Sequence, residues 1–414
     1  MNPCSTPKKY SLSLAKHLAL LSLSVLAPCA HGQFWIREST VLPETLTGGG
    51  SSGREGTTTF TTSVYGGLEY NDNVTLASNG EGGLAARTGV TAGMHYPVSA
   101  NNELSFDVSL ERLTYLTGVS GSVDYNNILP GTETTFTVFI GSVRIRSFLK
   151  ASLTEDPTSS PVINNTARFG RFNGQLGTQV DWDLNKVILQ GTAAIGRQFA
   201  TQSANEQIDS WNYALGLRAV FPVSTAMSFG ISTTYSTTRY DLDIQNNSTT
   251  RSAGVFGTFN LTKNISAQAA TGLQWTDYDT NGSINDNTDR TGLYGSIGLS
   301  HQIQRRLGYT VTVRHDIDDG YGTNFYEITD IAFSPRFKMV NKWELVGTVG
   351  WQWIDESGPT GESAERFNLS MEARRPLGRK TDLSVGAAHY EKFSDQIGKD
   401  YVQNRIYFSV RYTF

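Results

Sequence analysis

The sequence predicts an all-β protein: a transmembrane, antiparallel, up-and-down β-barrel of about 18 strands with no plug domain. Three observations predict it. From Thr57 onward, segments of about 10 to 15 residues alternate apolar and polar side chains, the period of a strand with two unlike faces. The polar face is made of Gly, Ser, Thr, Asn and Gln, and charged residues are only 17% of the chain, against about 25% in soluble proteins. The chain also ends on an alternating strand, with Ile406, Phe408, Val410, Tyr412 and the terminal Phe414 on one face.

Composition removes the competing classes. With 18 Tyr, 20 Phe and 7 Trp the 414 residues are too aromatic for disorder. A polytopic helical membrane protein needs several apolar stretches of about 20 residues. The one uninterrupted apolar block here is N-terminal.

Residues 1–32 read as a secretory signal peptide. Lys8, Lys9 and Lys16 precede the apolar run from Leu18 to Leu26, and Ala30-His31-Gly32 offers small residues for cleavage. Leu26-Ala27-Pro28-Cys29 has the outline of a lipoprotein box, but Pro before Cys departs from its small-residue pattern. Both cysteines, Cys4 and Cys29, fall in this leader, so the mature chain is expected to hold no disulfide, thiolate metal site or Cys nucleophile. The leader holds three Lys and no acid, which leaves 31 basic and 38 acidic residues, a balance that argues against nucleic acid as a partner. Residues 33–56 are a Gly/Ser-rich periplasmic tether ending in Gly48-Gly49-Gly50-Ser51-Ser52-Gly53, too short for a folded plug.

The barrel is expected over 57–414. Leu104, Phe106, Val108 and Leu110 oppose Ser105, Asp107, Ser109 and Glu111. Trp211, Tyr213, Leu215, Leu217, Ala219 and Phe221 form another apolar row, and Leu345, Gly347, Val349 and Trp351 oppose Glu344, Thr348 and Gln352. A soluble sandwich would use strands of about 5 to 6 residues. These are about twice that, as a bilayer requires of strands that face lipid on one side and water on the other.

Connections alternate in length. Short turns fall near Ser99–Asn102, Asp183–Lys186, Val223–Ala226, Thr262–Asn264, Gln304–Arg306, Val340–Lys342 and Leu377–Lys380. Longer polar loops fall at 71–82, 117–132, 156–165, 200–209, 242–249, 279–289, 319–325, 355–364 and 394–400. Splitting 132–156 at a turn near Arg146 gives 18 strands, with 16 the other count the pattern allows. An even count puts both chain ends in the periplasm.

Asp107, Glu111, Arg171, Arg218, Arg314, Glu344, Glu372, Arg374, Arg405 and Arg411 fall on polar faces and are the candidate lumen lining. On a lipid face Arg would cost about 2–4 kcal/mol at the midplane. Strands spaced about 4.8 Å and tilted near 40° give a backbone diameter on the order of 35 Å, too wide for small side chains to fill. An inward-folded loop would favour constriction, and no loop exceeds about 16 residues by this reading.

Signals for catalysis are scarce. The mature histidines are His95, His301, His315 and His389, with no HExxH or paired-His spacing. Arg314-His315-Asp316-Ile317-Asp318-Asp319, Asn71-Asp72-Asn73 and Asn285-Asp286-Asn287 read first as solvated surface, then as oxygen ligands for a divalent cation. In the first of them an Asp/His pair could also activate water, as in outer-membrane proteases. No enzyme activity, metal or cofactor is expected.

Tyr65-Gly66-Gly67-Leu68-Glu69-Tyr70-Asn71-Asp72-Asn73-Val74 resembles the opening strand and Y-[ND]-D-N-V turn of a family of bacterial outer-membrane β-barrel porins, some encoded beside exopolysaccharide genes. Repeated two-strand units and the terminal aromatic extend the resemblance over about 57–414. It implies a porin-like barrel in a Gram-negative outer membrane, and no functional residue transfers beyond the motif. The terminal aromatic also resembles the signal by which outer-membrane assembly machinery recognises barrel precursors. The expected function is passive diffusion of small hydrophilic solutes or oligosaccharides across the bilayer. The alternative is a structural, adhesive or exopolysaccharide-export barrel without an open pore.

Overall fold

The computed structural model describes residues 58–118 and 124–414. The expected signal peptide and tether lie outside the described residues. The first six strands are β1 (Thr59–Asn71), β2 (Gly83–Ser99), β3 (Asn102–Thr117), β4 (Tyr125–Ile140), β5 (Val143–Thr154) and β6 (Arg171–Asp183). Then come β7 (Ile188–Ala200), β8 (Ser210–Pro222), β9 (Met227–Tyr240), β10 (Ser248–Thr262), β11 (Ile265–Tyr278) and β12 (Arg290–Gln304). The last six are β13 (Leu307–Asp319), β14 (Phe325–Lys338), β15 (Glu344–Glu356), β16 (Ser363–Pro376), β17 (Thr381–Ser394) and β18 (Tyr401–Thr413).

Each strand pairs antiparallel with the next, and β18 returns to β1 from Ser63↔Thr413 to Asn71↔Arg405. The result is a closed barrel of 18 strands, the number the alternation predicts. Closure satisfies the backbone groups that an open edge would leave unpaired.

The two faces separate as the period-2 pattern requires. On β8, Leu215 and Leu217 point outward and are exposed, while Ser210 and Ala214 point inward and are buried. Across the sheet Leu217 is 63% exposed and Gln274 only 1%. A surface with its leucines out and its glutamines in is inverted for water and fits lipid. Eight short connections sit at one end of the barrel and nine longer ones at the other.

Two boundaries before β5 differ from expectation. The β4–β5 turn is Gly141-Ser142, not near Arg146: Gly141 takes φ +60, the left-handed region glycine favours. Arg146 instead stands mid-strand, 2.8 Å from Glu133. The loop expected over 117–132 ends before Tyr125, and β4 carries Pro130-Gly131 through a register shift between Ile128 and Thr132. A Pro-Gly pair marks a turn on local grounds, but a bulge accepts a missing N–H donor within a strand.

Candidate channel and its constriction

The inward face is polar and ionic. Arg87 on β2 lies 2.5 Å from Glu69 on β1 and 2.7 Å from Glu111 on β3, so one guanidinium ties three strands. Tyr65 donates to Glu111 at 2.9 Å, and Tyr407 donates to Glu372 at 2.7 Å. Both rings occupy the space where Gly89 and Gly386 would carry a Cβ, about 2.2–2.3 Å away. Glycine there lets the rings lie flat on the wall instead of projecting across the lumen.

The feature that most shapes the interior is the β5–β6 connection, residues 155–170. It is longer at both ends than the loop expected over 156–165, and it folds inward. Its base is held by the buried Glu155, which accepts from the Asn126 N–H at 2.6 Å, from Thr201 at 3.1 Å and from Arg168. Asp156 then receives a two-pronged ion pair from Arg405 on β18, at 2.6 and 3.0 Å. The Thr158 carbonyl accepts from Arg366 on β16 at 2.8 Å, and its hydroxyl donates to Gln403 at 3.2 Å. Burial alone would raise the Asp156 pKa; the Arg405 guanidinium and the Thr158 hydrogen bonds override it and hold the carboxyl below the usual range.

Farther along, Ile163 and Phe169 are buried with Ile208 of the β7–β8 loop, and Tyr321 packs against them. Val162 also packs against Tyr326, Ile328 and Ile354 of β14 and β15. The Asn165 N–H donates to the Leu76 carbonyl at 3.1 Å, and its amide reaches Gly398 at 3.1 Å. One loop thus touches walls on several sides of the barrel and divides the lumen.

A chamber of about 880 Å³ runs from the short-turn rim near Lys338 and Trp343 up to Arg405. A smaller chamber lies beside the loop, toward the long connections, and its lining includes Arg171, Gln175, Asp318 and Tyr321.

Of the ten candidate lining residues, Glu111, Glu344, Glu372, Arg374, Arg405 and Arg411 border the larger chamber. Glu344 is paired with Arg336, Glu372 with Arg374, and Arg411 lies 5.3 Å over the Tyr65 ring. Arg171 borders the smaller chamber. Three stand apart from both. Asp107 faces inward beside Gly93 and Thr61, Arg218 stacks 4.2 Å from the Phe256 ring, and Arg314 bonds Asp330 at 2.8 Å. Glu69, Arg87 and Arg366 were absent from the candidate set although strand alternation could have found them. Asp156 and Thr158 had no such signal, because their partners lie 249 and 208 residues away in sequence.

The two Asn-Asp-Asn motifs find their hydrogen-bond partners within the barrel. Asp72 accepts from the Asn404 backbone at 2.6 Å and its amide at 2.7 Å, while Asn73 donates to Val402 at 2.8 Å and accepts from Ala77 at 3.2 Å. The Asn-Asp-Asn turn therefore clips β1 to β18 at the barrel seam. Asp286 accepts from Ser357 at 2.6 Å, from the Asn324 N–H at 2.8 Å and from the Thr288 N–H at 3.0 Å. Those donors outweigh its burial and hold its carboxyl below the usual range. In 314–319, His315 pairs with Thr329 at 2.8 Å while Arg314 pairs with Asp330 on the other face of the same two strands. Alternation separates neighbours that look clustered in sequence. Among the described residues no group of three His, Cys, Asp or Glu is arranged to hold a metal ion.

No known protein family matches the sequence, and no curated protein matches it. Solved structures do. The fold is similar to the outer membrane protein OpdK of Pseudomonas aeruginosa, with TM-score 0.51 and 11% identity over 86% of this chain and 99% of that one. A second OpdK structure, solved with vanillate, gives TM-score 0.50 at 11% identity with the same coverage. OccK5 (OpdH) of the same organism gives TM-score 0.50 at 9% identity over 86% of this chain and 98% of that one. At such identities the likeness establishes a shared barrel architecture.

Proposed function

We propose that the chain is a porin-like channel in the outer membrane of a Gram-negative bacterium, passing small hydrophilic solutes by diffusion. The observation that carries this is the larger chamber, an ion-paired space of about 880 Å³ where a purely structural barrel would pack side chains. Seven Lys or Arg against five Asp or Glu line it, which favours anions weakly and gives no ring of one sign. Residues 155–170 set the passage: they narrow a lumen that the strand count alone would leave wide. OpdK, solved with vanillate, supports a small-solute reading by fold alone. We infer no enzyme activity, since the one Asp/His cluster is split between two faces of its strand.

Liposome swelling with sugars of graded size tests the channel. Swelling that is fast for monosaccharides and falls off for longer oligosaccharides is expected; no swelling with any solute would favour the structural or export-associated barrel.

We also infer that Ile406, Phe408, Val410, Tyr412 and Phe414 are read by the outer-membrane assembly machinery. Ile406, Phe408, Val410 and Tyr412 share the outward side of β18, and Phe414, just past its end, is anchored through its N–H to the Thr62 carbonyl at 3.0 Å while its ring stays exposed. Deleting Phe414 should slow insertion in cells and leave the refolded barrel's thermal stability nearly unchanged. Normal insertion would remove this role.

A further inference from the structure

The short-turn end of the barrel is unevenly charged. Its eight turns hold seven Lys and Arg and no Asp or Glu. Five of the seven fall in three consecutive turns: Arg305-Arg306 between β12 and β13, Lys342 between β14 and β15, and Arg379-Lys380 between β16 and β17. Elsewhere on the rim, Ala100-Asn101, Gly141-Ser142 and 223–226 carry none. The three basic turns form one surface. The Lys338 N–H donates to the Arg306 carbonyl at 2.7 Å, and the Arg375 guanidinium lies 5.5 Å over the Trp343 ring. All five cations are exposed, and among the described residues none is in an ion pair. Glu344 and Glu372 nearby are taken by Arg336 and Arg374, which leaves Asp382 as the one neighbouring carboxylate outside an ion pair. Each turn also holds or adjoins an exposed apolar side chain: Ile303, Val340 and Leu377. Lys342 stands at φ +66, a conformation Gly or Asn adopts at less cost, so the geometry of its turn does not favour a lysine there.

We propose that these three turns dock the anionic phospholipid headgroups of the inner leaflet, so that one side of the barrel is held against negatively charged lipid. The turns continue strands that face lipid. That sets Ile303, Val340 and Leu377 at the edge of the hydrocarbon and the cations at the depth of the phosphates. A basic residue at a bilayer surface is attracted by every anionic headgroup within a screening length, and several on one surface act together. The apolar side chain beside each cation favours a bilayer over a soluble anion, since its burial needs a hydrocarbon boundary. A leaflet also reaches all three turns at once. Drawing solutes into the lumen does not account for the set: Lys342 borders the larger chamber, but Arg305, Arg306, Arg379 and Lys380 do not. The proposal is independent of whether the lumen conducts.

The test places a donor dye on either side of the rim. Gly378→Cys sits in the β16–β17 turn, where an added Cβ meets no atom within 4 Å, and Asn101→Cys sits in the uncharged β2–β3 turn. The native cysteines, Cys4 and Cys29, fall in the expected leader, so each refolded mature barrel carries one dye. Energy transfer to phosphatidylglycerol labelled on its acyl chain is compared with transfer to phosphatidylcholine labelled the same way. The vesicles have matched leaflets, so the direction of insertion does not matter. Phosphatidylglycerol should be enriched about two- to fivefold around Gly378→Cys and not around Asn101→Cys. About 1 M NaCl, where the screening length is about 3 Å, should remove the enrichment. Arg305→Gln, Arg306→Gln, Lys342→Asn, Arg379→Gln and Lys380→Gln combined in one chain should remove it too, with the unfolding temperature in detergent kept or slightly raised. Equal transfer from the two lipids at Gly378→Cys would overturn the proposal. So would the same enrichment at both dyes, or enrichment that survives the combined substitutions.

Discussion

The inward loop is held at two ends by different physics. At one end Asp156 and Thr158 meet Arg405, Arg366 and Gln403 through directional, charge-assisted bonds at mostly buried positions. At the other end Ile163 and Phe169 bury apolar surface against Ile208 and Tyr321. The ionic end specifies where the loop sits, because a two-pronged guanidinium–carboxylate pair accepts one geometry. The apolar end supplies attachment that tolerates small shifts, because burial is non-directional. Position and adhesion are thus assigned to different residues of one short segment.

The largest effect should come from breaking the ionic end. Arg405→Met leaves Asp156 and Glu69 without this cation, a loss of about 3–5 kcal/mol for a buried pair with one partner removed. Denaturant unfolding should register it, and hydrogen exchange should show 155–162 losing protection. The double variant Arg405→Met/Asp156→Met should recover much of that stability while the loop still loses its place; full recovery of both would contradict the division of roles. Ile163→Ala should cost less, about 2 kcal/mol, since a partly covered site can relax. Exchange should then rise around 163–169 with the Asp156 end still protected.

A still smaller effect is expected from acid. The Asp156 pKa is depressed below its unfolded value of about 3.9. Its contribution is therefore complete above that value and is lost only as pH falls through the lower folded value. Conductance should stay level from pH 7 to about 4 and change only below; a transition near pH 5 would contradict the pairing. The smallest effect is ion preference. Reversal potentials in a KCl gradient should favour chloride by less than about threefold, and a strong cation preference would contradict the lining charges.

The same contrast explains what was legible in the sequence. The outward rows, the strand count and the inward parity of Glu111 or Arg374 follow from a period of two, which is local information. The path of 155–170 is not local: its direction is set by Arg366 and Arg405, far along the chain, and nothing in the loop's own residues announces them. The loop expected over 117–132 runs too far for a related reason: the neighbouring strands that absorb Pro130-Gly131 as a bulge are not local to it. The Asn71-Asp72-Asn73 motif was visible as a pattern, but its work at the seam needed Asn404 and Val402 beside it.

The most direct measurement is single-channel conductance in a planar bilayer, wild type beside a variant in which residues 158–166 are replaced by a short Gly-Ser turn. A lumen narrowed by its own loop should give small, stable openings in the wild type and openings several-fold larger in the variant, with the barrel's thermal stability largely kept. Equal conductance in the two proteins, or none in either, would contradict a channel whose bore is set by the docked loop.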